Sequence, residues 1–218
     1  RRRQRQMCII DSRGPADFLF AESFTNHKGT TMQSNNVLII TSSPTVGGNG
    51  DVIASIAANE LTARGANASM LNLRNLDIQP IATGQDSVAH SDEPDDDFPQ
   101  LLAAIHQADA IIVISPIYYN NLEARLITAI DRLYYPIALR NGYERGPKKR
   151  LGVILTCEGS SSDWLKLLVD RTLTKSLRAS VSDIKTEVFG HCPPLQGKPI
   201  NADYWHRTIS LADWCIQS

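Results

Sequence analysis

A doubly wound α/β fold, with a five-stranded parallel sheet and helices on both faces, is what this 218-residue chain predicts. Three observations carry that prediction. Val37–Thr41, Ala110–Ser115 and Leu151–Thr156 are nearly continuous apolar runs, as central strands buried on both faces must be. Strand-like and helix-like stretches alternate from residue 36 onward, which calls for parallel strands joined by right-handed helical crossovers. The runs at 37–41 and 110–115 are each followed by a polar, turn-rich segment. Open α/β sheets bind ligands at the carboxyl ends of such strands, so these two segments matter most.

The elements follow in order. After Val37–Thr41, the stretch Asp51–Arg64 carries Val52, Ile53, Ile56, Ala57 and Leu61 on one helical face, and Gly65 supplies a C-terminal stop. Ala68–Leu73 is the second strand. Thr83–Asp97 is polar and acidic, which predicts a solvated loop whose last acids favour the next helix start. Phe98–Gln107 repeats the helical pattern with Leu101, Leu102 and Ile105. The third strand, Ala110–Ser115, is expected to stop at Pro116, with Asn120 and Asn121 capping a helix over Leu122–Tyr134. A long connection, Pro136–Arg150, leads to the fourth strand, with Lys148–Arg150 solvating its start. Asp163–Leu177 reads as a helix, Ile184–Gly190 as the fifth strand and Tyr204–Ile216 as the last helix.

Composition narrows the function. With 22 basic and 23 acidic residues there is no general basic field for nucleic acid, and no apolar run approaches the ~20 residues of a membrane span. Cys8, Cys157, Cys192 and Cys215 lie far apart without a C-x-x-C pair, which argues against a disulfide framework and points to a reducing cytoplasm. His191 stands beside Cys192, but no further ligand has metal-site spacing, so no metal is expected. Residues 1–35 open with RRRQRQ and show no sustained period; they read as an irregular or disordered extension ahead of a domain at 36–218. Asp11, Asp17 and Glu22 argue against a targeting peptide there. An arginine-rich arm for nucleic acid is the functional alternative for that segment.

The loop Ser42–Gly50 joins a strand to a helix, and helix N-termini present unpaired N–H groups to anions. Its glycines allow close approach and its hydroxyls can donate. An ordinary turn is the bland alternative. A dinucleotide-binding turn fails on spacing: Gly48-Asn49-Gly50 begins seven residues past Thr41, Ile53 occupies the third glycine position, and no acid follows Leu73-Arg74-Asn75 until Asp77. A P-loop lacks its Gly-Lys-Ser/Thr. A longer hydroxyl-rich loop suits a single phosphate, and the strand order 2-1-3-4-5 would put the binding crevice between the first and third strands. Tyr118 and Tyr119 at that mouth offer flat faces to a planar ring system, or else pack on a neighbouring helix or partner subunit.

Together these segments resemble the flavodoxin-like NAD(P)H-dependent FMN reductases and NAD(P)H:quinone oxidoreductases. The family pattern G-S-P-R-x-x-G-N-T aligns with Ser43-Pro44-Thr45-Val46-Gly47-Gly48-Asn49-Gly50. S/T-P-x-Y, followed by a helix ending in D-R, aligns with Ser115-Pro116-Ile117-Tyr118 and Asp131-Arg132. K-K and T-C-x-G align with Lys148-Lys149 and Thr156-Cys157-Glu158-Gly159. The resemblance implies FMN as cofactor and NADH or NADPH as co-substrate, with hydride passing through the flavin to a quinone, free flavin or another small acceptor. No side chain need be catalytic, because the flavin performs the chemistry. It further implies FMN contacts from Ser43, Thr45, Gly48, Asn49, Gly50, Pro116, Ile117, Tyr118, Tyr119, Asn120, Cys157, Glu158 and Gly159, and a homodimer. Thr45 and Gly50 replace two of the family's phosphate donors, and Asp51 adds a charge nearby. That predicts weakened FMN affinity, so a flavin-binding electron carrier or a non-catalytic binding module is the alternative. The cysteine cluster of the iron–sulfur relatives is missing.

Overall fold

The computed structural model describes residues 35–81, 95–133, 147–159, 163–174, 177 and 180–217. All but the last residue of the extension expected at residues 1–35, most of the acidic stretch after Thr83 and the connection from Pro136 to Gly146 lie outside them.

Five long strands form one parallel sheet: β1 (Asn36–Thr41), β2 (Asn67–Asn72), β3 (Ala110–Tyr118), β5 (Lys149–Thr156) and β6 (Val181–Phe189). Their spatial order is β2-β1-β3-β5-β6, so the predicted 2-1-3-4-5 arrangement is present, with a short β4 (Asn121–Leu122) hanging antiparallel on β3. Ile39 is in register with Met70 on one side and Ile112 on the other, and Ile114 with Ile154.

Strand side chains alternate between two cores, as the pleat requires. Val37, Ile39, Ile112, Ile114 and Ile154 meet α1 (Asn49–Ala63) and α5 (Ala202–Ile216) through Ile53, Ala57, Leu61 and Leu211. Leu38, Val113, Val153 and Leu155 face the other way, against α2 (Phe98–Gln107), α3 (Ala124–Arg132) and α4 (Asp163–Val169). Gly152 is needed where α5 crosses β5, since a Cβ there would sit 2.5 Å from Leu211 Cδ2. Fully burying a Leu or Ile contributes about 1.5–3 kcal/mol, so these alternating runs dominate the folding energy.

Helix ends account for most departures from the expected boundaries. α1 stops as predicted, with Gly65 at φ +81° and the Ala66 N–H returning to the Leu61 carbonyl. α3 begins at Ala124, later than expected, because Glu123 caps it by accepting the Arg125 N–H. Asn120 and Asn121 are therefore not helix caps. Pro116 does not stop β3 either; it stays in the ladder opposite Thr156, and the chain continues into a hairpin. α4 is shorter than the predicted Asp163–Leu177 helix and passes into a π-turn over Asp170–Thr174. Lys149 and Arg150 are not mere solvation. Lys149 Nζ donates to the His106 and Ala108 carbonyls and Arg150 to those of Trp214 and Gln217, so these cations close the C-terminal ends of α2 and α5.

The acidic run ends in structure rather than in solvent. Asp96 has a fully buried side chain that accepts the Gln79 and Phe98 N–H groups and pairs with Arg132 Nη1 at 2.5 Å. Arg132 also donates to the Gln79 carbonyl at 2.9 Å and stacks over Phe98. The arginine of the D-R motif thus staples the start of α2 to α3. No helix among the described residues is long and apolar enough to cross a membrane.

Candidate functional site at the carboxyl edge of the sheet

β1, β3 and β5 all end on one edge, and three loops leave from there. The first, Ser42–Gly48, is anchored where the Ser42 N–H meets the Ile114 carbonyl at 3.0 Å. Ser43 is buried and its hydroxyl accepts the Thr45 N–H at 3.3 Å, which curls the loop. Gly47 takes φ +67°, a conformation that strains other residues. Gly50 packs so tightly that a Cβ would lie 2.9 Å from Ser43 Cβ, so the family's threonine has no room here. Gly48 is similarly crowded, with Thr45 Cβ 3.2 Å from its would-be Cβ.

That packing leaves a defined set of donors. The backbone N–H groups of Val46, Asn49 and Gly50 bond to no described residue, and they surround the N-terminus of the 15-residue α1. The buried Ser42 hydroxyl also has no partner among the described residues. Backbone donors at a positive helix end, with a hydroxyl that can also donate, fit the oxygens of a phosphate monoester. Asn49 contributes less than its position promised. Its side-chain amide donates to the Pro193 carbonyl at 3.0 Å and the Cys192 carbonyl at 3.4 Å, away from the loop's centre.

Asp51 corrects a sequence expectation. Its carboxylate does not stand free at the start of α1: Arg74 reaches both of its oxygens at 2.9 Å, and Gly47 N–H and the Asn72 amide complete its shell. Burial alone would raise its pKa, but the Arg74 hydrogen bonds and the Gly47 amide hold it below the ordinary carboxylate range. Sequence reading missed Arg74. The usable signal was a lone cation just past the second strand, since pairing of Thr41 with Asn72 carries position 74 alongside Ser43.

The second loop is a two-residue hairpin. Ile117 pairs with Leu122 and Tyr118 with Asn121, leaving Tyr119 and Asn120 at the tip with φ +48° and +61°. Two successive positive φ values are the mark of a type I′ turn, whose twist matches the flanking strands. The hairpin holds Tyr119 fully exposed and Tyr118 about half exposed, with Val46 exposed on the first loop. Ser115, by contrast, is buried and its hydroxyl accepts the Glu123 N–H at 3.2 Å, fixing the root of the hairpin to α3.

The third loop, Cys157–Gly159, is tied to the segment after β6: Cys157 N–H meets the Phe189 carbonyl, His191 N–H that of Gly159, and Cys192 N–H that of Cys157. Glu158 and Gly159 are exposed and Cys157 is half-buried. Burial pushes the Cys157 thiol above its usual pKa and carries Cys192 to about 11, so neither is an activated thiolate near neutral pH.

The sequence profile of the family described as NADPH-dependent FMN reductase matches residues 35–190. Among solved structures, the chain is similar to the NAD(P)H:quinone oxidoreductase of Methanothermobacter marburgensis, with 18% identity over 83% of this chain and 94% of that one and a TM-score of 0.60. An NADH:FMN oxidoreductase in its apo form shares 17% identity over 83% of this chain and 88% of its own, with a TM-score of 0.58. RosB with bound 8-demethyl-8-formylriboflavin-5′-phosphate shares 14% identity over 83% and 80%, with a TM-score of 0.61. At these identities the likeness is one of fold. A search of curated proteins found no match.

Proposed function

The chain belongs to the NADPH-dependent FMN reductase family, and on that premise we propose that it passes a hydride from NADH or NADPH to FMN at this edge and on to a quinone, free flavin or other small acceptor. The observation that carries the reading is the loop at the start of α1 whose Val46, Asn49 and Gly50 N–H groups bond to no described residue, set beside the hairpin that presents Tyr118 and Tyr119. Bound there, FMN supplies the two-electron redox chemistry. The protein's part is binding and orientation. Val46, Asn49 and Gly50 N–H groups, with the hydroxyls of Ser43 and Thr45, would receive the 5′-phosphate. Pro116, Ile117, Tyr118, Tyr119 and Asn120 would bound the ring system on one side, and Cys157, Glu158 and Gly159 on the other. Because the flavin would carry the chemistry, no dedicated acid or base is required of the side chains. The exposed Tyr119 also suits a contact with a second copy of the chain, consistent with a homodimer.

Purified protein tests this directly. The expected result is a yellow preparation that releases stoichiometric FMN, sediments as a dimer and consumes NAD(P)H when a quinone or free flavin is added. Stoichiometric FMN without NAD(P)H consumption would instead make it a flavin carrier. A colourless protein that takes up no FMN at micromolar concentration would sink both readings.

A further inference from the structure

Arg74 lies outside the loop motif, yet it is the residue through which the loop is held. Its guanidinium grips both Asp51 oxygens at 2.9 Å and the Ser43 carbonyl at 3.1 Å. Asn72, at the end of β2, adds a bond of 3.1 Å to Asp51 and one of 2.7 Å to Thr41 Oγ1. Asp51 reaches back past the Gly48 N-cap to the Gly47 N–H at 2.8 Å, which ties the loop to the first turn of α1. The clasp therefore joins β1, β2, the loop and the first turn of α1.

Charge makes the arrangement more than a brace. Asp51 is the third residue of α1, and a bare carboxylate there would compete with a phosphate for the same helix terminus. The two side chains keep only 17% and 22% of their surface exposed, so neither charge is well screened by solvent. Thr45 stands where the family carries an arginine, so the loop brings no cation of its own.

We propose that Arg74 is the positioning residue of the phosphate loop. By pairing with both Asp51 oxygens, it cancels the aspartate's charge at the helix terminus and so leaves the Val46, Asn49 and Gly50 N–H groups to receive the 5′-phosphate. The inference rests on the flavin reading above. It requires an effect specific to the phosphate: Arg74 acts through Asp51, so removing Asp51 as well should repair most of the damage.

Quenching of flavin fluorescence on the full chain measures this without turnover, using FMN and riboflavin, which lacks the phosphate. Arg74→Ala is expected to weaken FMN binding about tenfold to a hundredfold while riboflavin changes by less than about threefold. Asp51→Asn alone should bind FMN at least as tightly as the unsubstituted protein, which keeps the test decisive if Arg74→Ala does not fold. The double variant should regain most of the lost affinity, and added salt should narrow the Arg74→Ala deficit. The proposal is overturned if Arg74→Ala binds FMN normally, if riboflavin binding falls in parallel, if the double variant stays as weak as Arg74→Ala, or if Asp51→Asn alone loses affinity. Unsubstituted protein that binds neither flavin would overturn the flavin reading itself; one that binds both, with Arg74→Ala indifferent, would overturn only the clasp.

Discussion

Arg132–Asp96 and Arg74–Asp51 are built from the same two residue types, and each joins a loop to an element more than twenty residues away, yet they sit in different surroundings. The first is almost wholly enclosed, with side-chain exposures of 6% and 0%, and it closes the start of α2 onto α3 beneath Phe98. The second lies at the carboxyl edge of the sheet, less enclosed, beside a loop whose Val46, Asn49 and Gly50 N–H groups bond to no described residue. Enclosure sets the consequence of breakage. A buried charge left without its partner is destabilising by several kcal/mol, whereas a partly exposed one rehydrates. One pair belongs to the stability of the fold; the other is placed where, on the reading proposed above, its charge would act on a ligand.

The sharpest way to break that contrast is Arg132→Ala, expected to cost about 3–5 kcal/mol by leaving Asp96 buried and unpaired. Chemical denaturation measures it, and a loss no greater than that of Arg74→Ala, about 1–3 kcal/mol for a charged group that keeps its amide donors at a more open edge, would erase the distinction. Next in size is Gly50→Ala. Its Cβ would crowd Ser43, and overpacking of this kind costs about 1–3 kcal/mol, with weaker FMN binding expected alongside. An alanine variant as stable as the parent would show that the loop yields more easily than its packing implies.

Acid titration comes next. Burial alone would raise the Asp96 carboxyl, but the Gln79 and Phe98 N–H groups and Arg132 outweigh it and hold the group below the ordinary carboxylate range. A depressed carboxyl contributes stability above its unfolded pKa and loses it as pH falls through the folded value. Melting temperature should therefore drop on acidification below the normal carboxylate range, and more gently in Arg132→Ala; equal slopes would mean the arginine contributes nothing to the shift. The smallest stability effect is expected from Tyr119→Ala, within about 0.5 kcal/mol, because the side chain is fully exposed. Flavin affinity or dimerisation should nevertheless fall, and an unchanged value for both would remove this tyrosine from the site.

How much of this could be read in advance follows the range of the interactions. The apolar runs at 37–41, 110–115 and 151–156 announced buried strands, and Gly65 announced the end of α1, because period and turn chemistry act over a few residues. The loop motif at Ser43–Gly50 and the Pro-x-Tyr segment were legible for the same reason. Pro116 was misread as a stop because its missing N–H is harmless at that place in the ladder, and Asn120 as a cap because an Asn suits both a helix start and a left-handed turn.

The amino-acid sequence by itself determined the doubly wound sheet and the two loops at its carboxyl edge, since hydrophobic period and local turn preferences are properties of adjacent residues; the strand order came only with the family resemblance. Only tertiary structure decided which arginine meets which aspartate. Asp51 read alone is a misplaced negative charge; with β2 laid against β1, Arg74 arrives beside it and the charge is cancelled. Electrostatic neighbours are set by where strands and helices pack, and that information is absent from any single stretch of chain.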